Sequence, residues 1–506
     1  MTAKTTLASL GISYIAIVMV VLIESTGMTA TYYVDATGGS DLKNGLSPST
    51  AWQTIAKVNA TALMPGDSVL FRRGQVWIQN ATALIPPSSG TEVKPITFAD
   101  YGAGKKPEIR MVRELSSWTL DSGNIYFTPV SGSLHPKLAW EGNVELLGRR
   151  SDKSALAKYG DWFYDANVGR LYIYKTIRPA TIEITQGNFG IYLDTKSYVS
   201  IRNLHVNRTN RDGILIRSSR NVTLDDVDAS YCYYHGTQMW NDVGASNNIT
   251  IKNGEFSYNG GSGISVNRGG SGTNNVIILN NESHHNSRNA ENNPNVKDTA
   301  GIKVWGGYGS GTVGRNVIIE GNRVYKNEGS FEQKWWRGVG IWVDEWGDGA
   351  VVRYNTVYNN KASGIIIEHM SNARVYYNIV YGNGGGWTYH DGIMLFRGVS
   401  HSQVYNNVTY ENQDAGLSVV GGLRPGEDAM INNAVINNIS FNNRRRQLQA
   451  HTGGDNSGNG AGNIFEQNSL GVPGSGFIEW GRGITYSTYE SWEAAYRRKA
   501  ASIPVH

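Results

Sequence analysis

A glycine-led unit that returns along the chain, short segments alternating apolar and polar residues, and almost no helical periodicity together predict an all-β protein. The fold class is a right-handed parallel β-helix with an N-terminal cap and a small inserted β subdomain. The unit first appears as Gly190-Ile191-Tyr192-Leu193-Asp194. It returns at Gly213, Gly236, Gly263, Gly301, Gly340, Gly364, Gly392 and Gly416, at intervals of 23 to 39 residues. The first and third residues after glycine are apolar in nearly every copy, the mark of a short strand with one buried face. A second strand follows each unit, as in Asn316-Val317-Ile318-Ile319-Glu320 and Arg374-Val375-Tyr376-Tyr377. Aligning these strands brings Asn281, Asn322, Asn355, Asn378 and Asn407 into one register, where stacked amides can bond along the axis. A β-propeller, with blades of about 40 residues, has no such ladder.

Composition removes several other classes. Charged residues make up 17% of the 506 and hydrophobic residues 40%, which argues against disorder and against a long charged coiled coil. Sixty-one glycines beside thirteen prolines suit many tight turns rather than collagen or a proline-rich linker. A formal charge of +4 is too weak a bias for a nucleic-acid partner. Cys232 is the single cysteine, so neither an intrachain disulfide nor a thiolate metal cluster can form.

Taken in chain order, residues 1–30 read as a signal peptide, with Lys4 before an apolar stretch at 7–23 and Ala30 as a small residue at the end. An uncleaved anchor is the alternative, since about 17 residues is the short edge of a membrane span. Export makes the expected location extracellular or periplasmic, with no membrane attachment after cleavage. Residues 31–111 are expected to hold the N-terminal cap and first coils, with a helix-like stretch at 51–62 plugging the open core. Residues 112–186 break the coil pattern with Trp162-Phe163-Tyr164-Asp165 and Leu171-Tyr172-Ile173-Tyr174, hairpin-like segments of an inserted β subdomain. Residues 187–443 form the main helix with the active-site face, and 444–506 a C-terminal loop and capping segment.

The chemistry is expected on the outward columns of the glycine-led strands. The fourth residue after glycine reads Asp194, Arg217, Trp240, Asn267, Trp305, Asp344, Glu368, Phe396 and Val420, and the second includes Gln238, Lys303 and Trp342. Asp344 and Glu368 fall at equivalent positions of neighbouring coils, so their backbones should be about 4.8 Å apart. Two carboxyls at that spacing resist joint ionisation and supply an acid and a nucleophile from like residues. Retaining glycosidases hold their carboxyls about 5–5.5 Å apart, inverting ones about 6.5–9.5 Å. The units from Gly263 and from Gly301 each carry about 14 extra residues, expected as loops on the binding face. The first loop contains Asp298 and the second Trp335 and Trp336. Trp240, Trp305 and Trp342 would stack on sugar rings, while Lys303, His390, Asp391, Arg397 and Asp298 would contact substrate.

The segment Gly340-Ile341-Trp342-Val343-Asp344-Glu345-Trp346, with Gly364-Ile365-Ile366-Ile367-Glu368-His369 one coil later, resembles the catalytic segments of β-helix glycoside hydrolases of the β-xylosidase kind. The opening Tyr32-Tyr33-Val34-Asp35 and Pro65-Gly66-Asp67-Ser68-Val69-Leu70-Phe71 resemble the cap of secreted carbohydrate-active β-helix proteins with the pectate-lyase-like fold. The resemblance implies Asp344 as nucleophile and Glu368 as acid/base in a retaining hydrolase of a poly- or oligosaccharide, acting as a monomer. No cofactor is implied; Ca²⁺ held by the carboxylate pair is an alternative role for those residues. Two rival functions stand beside it. One is a polysaccharide lyase acting by β-elimination on a uronate polymer, alginate- or pectate-like, with Lys303 or an arginine as base. The other is a non-catalytic carbohydrate-binding β-helix, which would repeat its binding residues along many coils.

Overall fold

The computed structural model describes residues 29–79, 82–130, 135–267, 273–288, 298–306, 314–329, 337–385, 390–421, 430–451, 462–481 and 483–500. The apolar stretch at 7–23, together with Trp335, Trp336 and the Trp346 side chain, lies outside them. Each coil runs through three short strands, for example Val339–Asp348, Ala350–Arg353 and Thr356–Tyr358, before the next begins at Ile365–Ser371. Successive coils pair in parallel, so the strands assemble into sheets of 13, 12 and 11 strands wound around one axis. This is a right-handed parallel β-helix, the hand that parallel crossovers take.

In-register pairing explains the core. Ile302 lies opposite Ile341, Ile341 opposite Ile365, and Ile365 opposite Ile393, and all four are buried at 0–1% exposure. Each coil's β-branched face is covered by the same face of the next, which is why the period-2 pattern repeats so faithfully.

The glycine that opens each unit has a steric cause. A Cβ at Gly340 would lie 2.4 Å from Val357 Cγ1, 2.5 Å from the Gly364 carbonyl oxygen and 2.9 Å from Asn360 Nδ2. That last contact belongs to a second asparagine ladder, absent from the sequence reading, which runs through Asn259, Asn286, Asn327, Asn360, Asn383, Asn412 and Asn443. The first ladder is present as aligned and extends to Asn438 and Asn468. Asn360 shows what one rung does. It accepts from the Asn327 backbone N–H at 3.1 Å and from Asn327 Nδ2 at 2.8 Å, and it donates to Val324 O at 3.1 Å and Asn383 Oδ1 at 2.9 Å. Asn360→Ala removes four buried hydrogen bonds, although Asn327 Nδ2 keeps Ser283 O and Asn383 Oδ1 keeps the residue-360 backbone N–H; at about 1–3 kcal/mol for each buried group left unpaired, unfolding in denaturant should show a loss of at least about 2 kcal/mol. An unchanged midpoint would refute that role for the ladder.

At the amino-terminal end the helix Ile55–Asn59 inserts Ile55 and Val58 into the main core. Between Met111 and Gln186 the chain leaves the coils and builds two four-stranded antiparallel sheets. Its two ends meet again: Val112 pairs with Thr185, and Gln186 N–H donates to Met111 O at 3.0 Å. This insertion packs Val112, Leu138 and Trp140 against Tyr233, and Glu145 pairs with Arg288 at 2.8 Å. It thereby braces the coil corners that carry Tyr234 and His235.

The expected end of the helix at 443 falls short. Arg446–His451 and Ile478–Trp480 extend the 12-stranded sheet beyond it. The arginine run is a coil corner, and Arg446 is drawn inward by Asp414 and Glu479. The helix Tyr489–Ala500 then sets Trp492 against Trp480.

Candidate active site

The register of the 12-stranded sheet places Trp305 opposite Asp344, Asp344 opposite Glu368, and Glu368 opposite Phe396. The next residue of each strand, Glu345, His369 and Arg397, has a positive φ of 51°, 46° and 41°. The chain therefore turns immediately after this column, and the corner residues are delivered beside it.

One carboxylate oxygen of Asp344, one of Glu368 and one ring nitrogen of His369 all lie within 4.8 Å of one another. The two acids have unlike surroundings. Lys303 Nζ lies 2.9 Å from Asp344 Oδ2 and 3.0 Å from the centroid of the Trp342 ring, so its ammonium is held between a counter-ion and a π face. Glu368 accepts from Trp342 Nε1 at 3.1 Å, while Arg397 Nη1 is 3.8 Å and His369 Nδ1 3.6 Å from its other oxygen. Burial first, and then the charge of Asp344, push the Glu368 carboxyl up to about 8, against the opposing pull of Lys303 and Arg397. Glu345 is raised as well, by burial and by Asp344, and it accepts from Trp305 Nε1 at 2.8 Å.

Toward the amino terminus Asp344 borders a cleft of about 340 Å³, with Glu368 one coil beyond it. Trp240 and Trp305, each 37% exposed, stand two coils apart on its walls. The strand between them, Ile264–Asn267, presents the small side chains of Ser265 and Asn267 to that face, with about 9.6 Å between the flanking backbones at the spacing of paired strands. Asp298, Lys303 and Asp344 also line it, with Tyr234, His235, Gln238 and Ser262 at the rear.

Of the expected substrate contacts, Trp240, Trp305, Lys303 and Asp298 are therefore on the cleft, and Arg397 stands at Glu368. Three need correction. Trp342 is 3% exposed and packs with Ile366, Met394 and Phe396 in a secondary apolar cluster, so it offers no open stacking face and instead positions Glu368 and Lys303. Asp391 is fully buried and accepts from the Ala415 N–H at 2.9 Å and from Ser418 Oγ at 2.5 Å, tying two coils together. His390 does not line the cleft; burial pushes its imidazole down to about 4, and its Nδ1 accepts from the Gly385 N–H at 3.2 Å. Both residues precede Gly392, at the entry corner one coil beyond Glu368, whereas the cleft extends the other way. The outward columns are likewise not uniformly exposed, since from Trp342 onward apolar members bury one another.

His369, Glu345 and His235 were missed as contributors, and Gln238 and Asn267 stood in the outward columns with no contact assigned to them. Their only sequence signal is position, at the corner after, the corner before, or within the column.

By donor chemistry Asp344, Glu368 and His369 could hold a divalent ion. Lys303 and Arg397 already set two cations against the same carboxylates, and they compete with a metal for that charge.

A family model for the right-handed β-helix region matches residues 165–316 and 271–392. Among curated proteins, a lacto-N-biosidase from Bifidobacterium longum subsp. longum is 22% identical over 514 aligned residues, which take in 86% of this chain. The chain spans only 30% of that relative's length. Among solved structures, XylC in complex with xylose superposes with a TM-score of 0.62 at 15% identity, over 81% of this chain and 75% of its own. A GH136 lacto-N-biosidase from Eubacterium ramulus gives a TM-score of 0.50 at 14% identity, over 89% and 68%. At these identities the superpositions establish the shared fold.

Proposed function

We propose that this chain is an exported, carbohydrate-active enzyme, a retaining glycoside hydrolase of a poly- or oligosaccharide. The observation that carries the reading is the carboxyl pair: oxygens of Asp344 and Glu368 fall within 4.8 Å, with Asp344 facing an ammonium and Glu368 holding its proton to about pH 8. That separation supports double displacement, since retaining enzymes hold their carboxyls about 5–5.5 Å apart and inverting ones about 6.5–9.5 Å. Asp344 attacks the anomeric carbon while Glu368 protonates the departing oxygen. Glu368, now ionised, then takes a proton from water that hydrolyses the glycosyl–Asp344 ester, and both acids return to their starting states. The relatives' names, lacto-N-biosidase and XylC with bound xylose, support a glycoside as the substrate class.

A uronate lyase would ask Lys303 to act as a neutral base. Its contact with Asp344 at 2.9 Å supports the ammonium form instead.

Incubation with a panel of oligosaccharides should release reducing ends without the absorbance of unsaturated uronates. NMR of the earliest product should show the anomer of the starting linkage, and EDTA should leave the rate unchanged. Unsaturated product, or first release of the opposite anomer, would overturn the assignment; activity lost to EDTA and restored by Ca²⁺ would give the carboxylates to a metal.

A further inference from the structure

Two polar side chains at the rear of the cleft have their hydrogen-bonding polarity fixed from behind. His235 Nδ1 accepts from the Ser262 backbone N–H at 2.9 Å, which leaves the ring proton on Nε2. Burial pushes this imidazole down to about 3, so the ring stays neutral. Gln238 sits three residues on, and its amide fits with the nitrogen 3.1 and 3.2 Å from the two oxygens of Asp212. Asp212 is fully buried. It also accepts from the His235 backbone N–H at 3.1 Å and faces Arg211 Nε at 3.2 Å. Every neighbour named around this carboxylate is a donor. Burial pushes Asp212 up to about 7; in its ionised form it only accepts, and Gln238 then turns its nitrogen to Asp212 and its oxygen to the side of the cleft it lines.

The strand Thr237–Trp240 lies three coils before the strand of Asp344. Three strand spacings make about 14 Å between backbones, beyond the ring that Asp344 would attack and on the part of the cleft that further units would occupy. The cleft's charge is also defined. Asp298 and Asp344 are acids, and among the described lining residues the only charged base is Lys303, already paired with Asp344.

We propose that His235 and Gln238 are specificity-determining residues for a sugar unit beyond the one that reacts. His235 is the fixed donor, Gln238 the fixed acceptor, and Asp212 the positioning residue behind them. The unit they take is a neutral, hydroxyl-bearing pyranose, because among the described lining residues a ring carboxylate would meet two acids and one lysine already paired with Asp344. The assignment of ring order rests on the hydrolase reading; the binding itself does not.

The test uses the full chain carrying Glu368→Gln, so that sugars bind without turnover, and reads the fluorescence of the cleft tryptophans. Probes are xylobiose, cellobiose, lactose and N,N′-diacetylchitobiose, against digalacturonate. At least one neutral disaccharide should give a saturable change and digalacturonate none. Adding Gln238→Ala should raise Kd about tenfold, the scale of one hydrogen bond. Adding Asp212→Asn should erase the preference for the parent sugar over its monodeoxy analogues, an effect that general loosening would not produce. The proposal is overturned by digalacturonate binding as tightly as a neutral sugar, by no neutral sugar binding, or by an unchanged Kd in Gln238→Ala. It is equally overturned if parent and deoxy sugars weaken alike. Turnover by the unsubstituted chain reports separately: binding without hydrolysis removes the hydrolase reading and leaves this pair, and hydrolysis with unchanged Kd does the reverse.

Discussion

Glu368→Gln should lower kcat on unactivated glycosides by about 10²–10⁴-fold, the contribution of a positioned general acid, while a dinitrophenyl glycoside should still react in the first step. That leaving group needs little protonation, and Asp344 with its Lys303 partner is untouched by the change. The covalent intermediate should then accumulate as a burst, since water lacks its base in the second step. The pH profile carries the same assignment. With Glu368 pushed up to about 8, kcat/KM should fall on an alkaline limb near that value, and this limb should vanish in the Gln variant. Lys303→Ala should move the limb upward, because the lysine charge favours ionised Glu368 and its loss makes the proton harder to remove.

Stability should follow with a definite sign. A carboxyl raised in the folded state from 4.5 to about 8 binds its proton more tightly folded than unfolded, so its favourable contribution is present below about 4.5 and is lost as pH rises toward 8. Glu368→Gln should therefore melt above the parent on the alkaline side of 8 and close to it on the acid side of 4.5. Equal loss on both leaving groups, or an alkaline limb that persists in the variant, would remove Glu368 from the acid's role.

Asp344→Ala should abolish turnover of every glycoside, activated or not, because no other group replaces the bond to the anomeric carbon. Added azide can enter the space the carboxylate leaves and attack the same face. Glu368 still protonates the leaving oxygen, so a glycosyl azide of inverted configuration should form. The structure favours this rescue because Lys303, freed of its 2.9 Å contact with Asp344, remains as a cation facing the vacated space. Activity retained in Asp344→Ala, or azide product of retained configuration, would refute the nucleophile and reopen the lyase mechanism.

The register of the column that carries the two acids was legible because a parallel coil repeats one position every turn, so counting four residues from glycine gives Asp344 opposite Glu368 without any coordinates. The second asparagine ladder was legible in principle. An aromatic, any residue, then asparagine precedes the later glycines, as in Tyr325-Lys326-Asn327, Tyr358-Asn359-Asn360 and Tyr381-Gly382-Asn383. The aromatic members stack with centroids 4.9 and 5.0 Å apart on the neighbouring sheet.

By itself, then, the sequence determined the coil, its period and the pairing of the two acids, since those follow from local alternation and in-register stacking. Only the tertiary structure decided which outward residues stay open. Trp305 and Trp342 look alike in the pattern, yet one is 37% exposed beside Asn267 while the other is buried among Ile366, Met394 and Phe396. It also decided that Asp391 ties two coils together, and that Asp212, from the coil before, sets the Gln238 amide. The reason is physical. Exposure and hydrogen-bond polarity depend on what neighbouring coils and loops bring against a side chain, and those contacts join residues far apart in the chain.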